Sequence, residues 1–229
     1  MSAPASRDGR VATIKFHYFY GRGIGEPIRL IFTAGGVDFE DVRYSIEEFG
    51  PMDDFKARLP FGQMPALQVD DVFIGQTDSI TRFAARSAGL YPEDPLAAAH
   101  SDMVVVHQAE IQSTIAKMSF DGVPGAVGTK QLPEAEREAR IGEFWVSKLP
   151  AMLERLERLA AQGHMVGGAL SWADVCVFNR FNQLLDRDPA LLDGAYPQLK
   201  AVYDNVADLP SIQGWIQSHP EDYPRQHGN

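Results

Sequence analysis

Apolar and polar positions alternate along residues 13–19, TIKFHYF, with Ile14, Phe16 and Tyr18 on one side and Lys15, His17 and Phe19 on the other. A period of two predicts a β-strand. The rhythm then changes. After the turn GRGIGEP (21–27), Pro27 suits a first helical turn, and Ile24, Ile28, Ile31 and Phe32 recur at helical spacing until Gly35-Gly36. VDFEDVRY (37–44) predicts a second strand, and ALQVDDVFIG (66–75) a hairpin turning at Asp70-Asp71. From Thr77, the residues Ile80, Phe83, Ala84 and Ala88 carry another helix up to Gly89. The order is β-α-β followed by β-β-α.

Beyond YPEDP (91–95), which reads as a linker, the pattern is helical nearly throughout. One long helix is predicted over 96–118, a glycine- and proline-rich loop over 121–133, and helix over 134–161 with a bend at Pro150, which lacks a backbone donor. A further helix starts at Ser171, with shorter ones over 197–207 and 211–218. SWAD (171–174) has the spacing of a capping box, in which Ser171 and Asp174 satisfy each other's backbone N–H groups, with Leu170 and Val175 as the accompanying apolar pair. An α/β domain over 11–90, a linker over 91–95 and an all-α domain over 96–220 account for this shift.

The chain of 229 residues is long enough for two small domains with a sizeable core. Its 45% hydrophobic and 23% charged content is that of a globular protein in water. A net charge of −10 argues against a nucleic-acid or anionic-membrane surface, and no apolar run approaches the ~18 residues of a membrane span. The opening MSAPASRDGR has no apolar core of a secretory signal and reads as a short loose tail. Cys176 is the one cysteine, which excludes an internal disulfide and a dithiol redox motif. A cytoplasmic location is the default expectation. Six scattered histidines show no metal-ligand spacing, and Cys176 sits in an apolar helix as a core residue.

The stretch LPFGQMPAL (59–67) stiffens the chain twice just before the third strand. In a thioredoxin-like layout, β-α-β-β-α, the X-Pro bond at that place is usually cis. Met64 would then present an unpaired N–H and C=O, with which an extended peptide can pair as an added strand. With these residues in view, the chain resembles the soluble glutathione transferases, nearest the tyrosine-using sigma type. Four anchors carry the resemblance in order: FHYFYGRGIGEPIRLIF, LPFGQMPAL, GQTDSITRF and GGALSWADV. It implies a thioredoxin-like N-terminal domain followed by an all-helical C-terminal domain, and glutathione as co-substrate.

Glutathione is an anionic tripeptide with a thiol, and a free thiol has a pKa near ~8.5. Lowering it by about 2 units takes about 2.7 kcal/mol. One hydrogen bond to a charged group supplies roughly 1.5–3 kcal/mol, so a single hydroxyl donor can nearly suffice. The resemblance places the catalytic tyrosine at Tyr18, with Tyr20 as a nearby competitor. Where sigma-type members often carry an arginine near the thiol, this chain has Ile24, with Arg22 two residues earlier. The resemblance further implies Lys56 and Gln63 for the glycine end of the tripeptide, Met64 and Pro65 for its cysteinyl backbone, and Gln76 and Thr77 for its γ-glutamyl end. The last two open a helix whose N–H groups attract an anion. Glu110 on the long helix matches the acidic residue that family members lend across a homodimer. The acceptor pocket is expected between Tyr18-Phe19-Tyr20 and residues 111–115.

The activity so implied is attack of glutathione thiolate on hydrophobic electrophiles, with isomerisation or hydroperoxide reduction as related reactions. A non-catalytic carrier of apolar ligands, or a structural protein on the same scaffold, is the competing reading, because fold alone does not decide chemistry.

Overall fold

A computed structural model describes residues 12–120 and 132–223. The tail at 1–10 and most of the glycine- and proline-rich loop at 121–133 lie outside the described residues. The first half contains β1 (Ile14–Phe19), α1 (Glu26–Ala34), β2 (Glu40–Tyr44), α2 (Ile46–Phe49), α3 (Asp53–Arg58), β3 (Ala66–Val69), β4 (Val72–Gly75) and α4 (Thr77–Ser87). Among the described residues the strands form one sheet in the order β2-β1-β3-β4. β1 runs parallel to β2 and antiparallel to β3, with Phe16 opposite Leu67, and β3 and β4 form the hairpin that turns at Asp70-Asp71. This is the thioredoxin-like arrangement. Alternation in β1 sends Ile14, Phe16 and Tyr18 into the core beneath α1 and α4, where Ile28, Ile31, Phe32, Ile80 and Ala84 meet them.

One side chain departs from the sequence reading. Ile24 precedes α1 and is 40% exposed, so it does not extend the buried stripe of Ile28, Ile31 and Phe32. Gly23 before it has a φ of +42°, in the left-handed region, so no helix runs back through the turn.

The second half contains α5 (Pro95–Phe120), α6 (Glu134–Glu143), a π-helical turn (Phe144–Lys148), α7 (Leu149–Leu159), α8 (Trp172–Leu185), α9 (Pro197–Ala207) and α10 (Pro210–Ser218). The expected bend near Pro150 takes the form of that π turn. The Leu149 N–H reaches back five residues to the Phe144 carbonyl, so the ladder changes register one residue before the imino acid that cannot donate. α8 is the central helix. Every residue in it except Gln183 is buried, and it packs on α1, α5 and α9. Its start is fixed by the Ser171–Asp174 capping box. The Asp174 carboxylate accepts from the Ser171 N–H at 2.7 Å and from the Met165 N–H at 2.6 Å, tying the preceding loop to the helix. Burial pushes this carboxyl above the usual range, and those hydrogen bonds pull it back.

A buried ionic network binds the two halves. The Arg29 guanidinium pairs with Glu26 at 3.1 Å and Asp41 at 2.9 Å. Arg43 pairs with Asp41 at 2.6 Å and Asp222 at 2.7 Å. Glu26 also accepts from the Trp215 indole at 2.8 Å and the Tyr223 hydroxyl at 2.6 Å. Glu26, Arg29, Asp41 and Arg43 therefore each have two or more partners, which is the condition for tolerating them away from water.

Candidate active site

Tyr18 lies near the end of β1 with its side chain 9% exposed. Its hydroxyl oxygen accepts from the Ile24 N–H at 3.2 Å, while its proton has no acceptor among the described residues. Burial pushes the phenol above its ordinary range, outweighing the opposite pulls of the Ile24 N–H and the Arg29 guanidinium. The group is thus protonated at neutral pH. It is suited to donate a hydrogen bond and unsuited to remove a proton.

The turn at 21–25 forms a roof over this ring, and glycine is required there. A Cβ at Gly25 would lie 2.4 Å from Tyr18 Cδ1, and one at Gly23 would lie 2.6 Å from the hydroxyl oxygen. Arg29 holds the roof in place. Its guanidinium donates to the Gly21 carbonyl at 2.9 Å and the Phe19 carbonyl at 3.2 Å, and it sits 5.6 Å from the centre of the Tyr18 ring. One buried cation so fixes the start of the turn and faces the phenol.

Beside the roof is a cavity of about 150 Å³ lined by Gln63, Met64, Pro65, Gln76, Thr77 and Ile24, together with Phe61 and Gly75. The Met64–Pro65 peptide is cis. The Met64 N–H and C=O have no partner among the described residues, as an edge awaiting an added strand requires. Gln76 adopts a φ of +71°, a sparsely populated region for a residue with a Cβ, and it caps α4 without a side-chain hydrogen bond of its own. Thr77 is the first helical residue rather than the cap, so the free N–H groups of the first turn face the same space. Ile24 joins this cavity to Tyr18, since its N–H holds the hydroxyl while its side chain lines the wall.

Five of the residues singled out in the sequence thus meet at one cavity: Gln63, Met64, Pro65, Gln76 and Thr77. Two others stand apart from its lining. The Lys56 ammonium is held by the Gly50 carbonyl and by Asp53 at 3.3 Å, and it lies 5.3 Å from the Phe49 ring. Glu110 is exposed on α5, 3.4 Å from the His107 imidazole. Tyr20 is 64% exposed and outside the cavity. Arg22 is engaged by Asp186 and lies 5.4 Å from the Tyr223 ring centre, so it does not stand in for the arginine absent at 24. A cavity between the halves is bounded by Gly23, Ile24, Thr77, Thr81, Gln108 and Gln112 with Cys176 and Arg180, so of the stretches 18–20 and 111–115 only Gln112 lines it. Cys176 is fully buried and its thiol is pushed up to about 12, which removes it as a nucleophile.

Sequence reasoning missed Gly23, Gly25 and Arg29 as the parts that position the phenol. The available signal was a Glu-x-x-Arg pair (26 and 29) within the otherwise apolar run EPIRLIF. Charges at such spacing inside a buried stripe must pair.

A family model described as "Glutathione S-transferase, N-terminal domain" matches residues 14–86, and one described as "Glutathione S-transferase, C-terminal domain" matches residues 125–219. The chain is 32% identical to glutathione S-transferase S1 of Drosophila melanogaster, covering 89% of this chain and 77% of that protein. It is also 32% identical to hematopoietic prostaglandin D synthase of Gallus gallus, covering 90% of this chain and 96% of that one. The solved structure of prostaglandin synthase D of Nilaparvata lugens superposes with a TM-score of 0.77 at 26% identity, over 91% of this chain and 98% of that chain.

Proposed function

Because the chain belongs to the glutathione S-transferase family, we propose that the Tyr18 phenol activates the thiol of bound glutathione and that the thiolate attacks apolar electrophiles. The observation that carries this reading is a buried, protonated hydroxyl with its proton unclaimed, next to a cavity edged by unpaired peptide groups. The thiol releases its proton to solvent, and the phenol donates to the sulfur anion without itself ionising. The thiolate then forms the sulfur–carbon bond while the electrophile's leaving group departs with its electron pair. A hydrogen bond to a charged acceptor in such a shielded place is worth roughly 1.5–3 kcal/mol, enough to lower the thiol pKa by about 1–2 units.

Binding follows from the same cavity. Met64 pairs with the cysteinyl backbone beside Pro65, Gln76 and Thr77 receive the γ-glutamyl end, and Gln63 receives the glycine end, with Lys56 turning from Gly50 to join it. We assign residues 11–90 to this work and 96–220 to the acceptor side. A homodimer belongs to the same proposal. Leu96, Met103 and Val106 expose apolar side chains along α5, and Glu110, seven residues from Met103, shares a side with it and would turn from His107 to reach a partner's tripeptide. A cytoplasmic location is included too and rests on the single, buried cysteine. The likeness to a prostaglandin D synthase favours transient use of the same thiolate in an isomerisation as a second reaction.

The test is Tyr18→Phe, read by ultraviolet titration of the bound thiol and by kcat/KM with a chromogenic aryl halide. The thiol should return toward its free value of ~8.5, and kcat/KM should fall about tenfold to a hundredfold. Unchanged titration and turnover would remove Tyr18 from the mechanism.

A further inference from the structure

Arg180 is buried in α8 and 3% exposed, yet among the described residues it has no ion pair. One arm of its guanidinium donates to the Gln183 amide oxygen and another to Gln108 at 3.3 Å, while its Nε has no partner. It lines the cavity of about 60 Å³ between the two halves of the chain, where the Gln112 amide oxygen is also buried without a partner. The other walls include Ile24, Pro27, Val105 and Ala109. The charges nearby do not neutralise it. Arg22 repels it and is already paired with Asp186, and the Cys176 thiol is uncharged at neutral pH. Asp78 lines the same cavity, but it is solvent-exposed and makes no ion pair with Arg180. Burial lowers the guanidinium only to about 9, so it stays charged.

A charge held in a dry place without a counter-ion destabilises the fold unless something supplies one. The location says what would. Ile24 and Thr77 line both this cavity and the one assigned to glutathione, so its occupant lies next to the tripeptide. The space has room for a carboxylate, and the guanidinium fork matches a carboxylate's two oxygens.

We propose that this cavity seats the carboxylate of the second substrate, so that the preferred acceptors are apolar electrophiles bearing one carboxylate, paired with Arg180. The proposal rests on the transferase reading for the presence of an acceptor, but the pairing is measurable without turnover. Gln108 and Gln183 hold the fork in position, and the apolar walls take the carbon next to the carboxylate. Specificity arises because a neutral analogue leaves the buried charge unpaired.

The experiment compares a chloronitrobenzoate with its benzamide. Calorimetric Kd values are measured with S-methylglutathione in the neighbouring cavity, and kcat/KM values with glutathione. The wild type should favour the acid by about tenfold or more in both measurements, a difference of about 1.4 kcal/mol, which a buried charge pair can supply. Arg180→Gln should bring the acid-to-amide ratio to about one, and Arg180→Lys should keep part of it. Equal binding of acid and amide by the wild type overturns the proposal, and so does a ratio that survives Arg180→Gln. That the wild-type ratio decides alone keeps the test valid if the glutamine variant does not fold. A rise in the glutathione KM of the variant with an unaltered acid-to-amide ratio would assign Arg180 to the tripeptide and overturn the proposal as well. Acid-selective, Arg180-dependent binding without turnover of either compound would uphold the pairing and sink the transferase reading. Equal turnover of both would do the reverse.

Discussion

Replacing Gly25 by alanine tests the roof over the phenol with the least collateral change. Gly25 has ordinary right-handed backbone angles, φ −85° and ψ −26°, so alanine adds no backbone strain there. Its Cβ, however, would lie 2.4 Å from Tyr18 Cδ1 and 2.8 Å from both Cε1 and Cγ. Carbon atoms in contact sit about 3.5–4.0 Å apart, so ring and turn must separate by about 1 Å or more. The ring has little room to retreat, being 6.1 Å from Phe16 and 5.5 Å from Phe19, centre to centre, with the Arg29 guanidinium 5.6 Å away. Overpacking of this kind costs roughly 1–3 kcal/mol of stability. A displacement of about 1 Å at a reacting group can cost about a hundredfold in rate. We therefore expect Gly25→Ala to stay folded in circular dichroism and to lose about a hundredfold in kcat. Its glutathione-thiol titration should shift toward that of the free tripeptide. The glutathione Kd should change far less, because Gln63, Met64, Gln76 and Thr77 lie on other segments. Gly21→Ala serves as the control. Gly21 has a φ of +82° but nothing within 4 Å of an added Cβ, so alanine there brings backbone strain without touching the ring. The reasoning fails if Gly25→Ala keeps wild-type kcat and thiol titration, or if Gly21→Ala loses as much.

Two further outcomes are expected. Arg29→Leu takes the ion-pair partner from the buried Glu26 and one of two from Asp41 and should cost about 3–5 kcal/mol, read from the urea midpoint; a midpoint equal to that of the wild type would contradict the buried network. His17, 5% exposed and bonded to the Tyr44 hydroxyl at 2.9 Å, has its imidazole held below the ordinary value chiefly by burial. A depressed folded value means that its contribution to stability is complete above the unfolded value of ~6.5 and is lost as pH falls through the folded one. Wild-type stability should then drop below pH ~6.5 more steeply than that of His17→Gln, by no more than about 1.4 kcal/mol per pH unit, and parallel urea-derived profiles would refute it.

Much of this architecture could be read from local chemistry. The Asp70-Asp71 hairpin, the Ser171–Asp174 cap and the helix at Pro197–Ala207 stand where residue spacing put them, because turn and cap signals act within a few residues. Short pieces were harder. α2 and α3 have four and six residues, too few for a period to register. Even so, Ser45 and Glu48 form a capping box that the bare spacing S-x-x-E advertises. The site was legible where a motif holds its parts together, as in Gln63–Pro65 and Gln76–Thr77. It was not where the partners are remote in the chain. Arg22 meets Asp186, Arg180 meets Gln108, and Glu26 meets Trp215 and Tyr223, and no spacing rule anticipates these. Ile24 misled because its chemistry suits a helix, while it follows the left-handed Gly23 and lies in the turn before α1.

The clasp of Trp215 and Tyr223 on Glu26 gives biosynthesis an order. Glu26 opens the helix that follows the glycine turn, so the ribosome makes the phenol and its roof early but their anchor almost two hundred residues later. A nascent chain lacking residues 215–223 can pair its strands, yet it leaves a carboxylate half-satisfied beneath the turn. Competence to handle a thiol should therefore arrive late, as a single event, when that stretch clears the exit tunnel and docks.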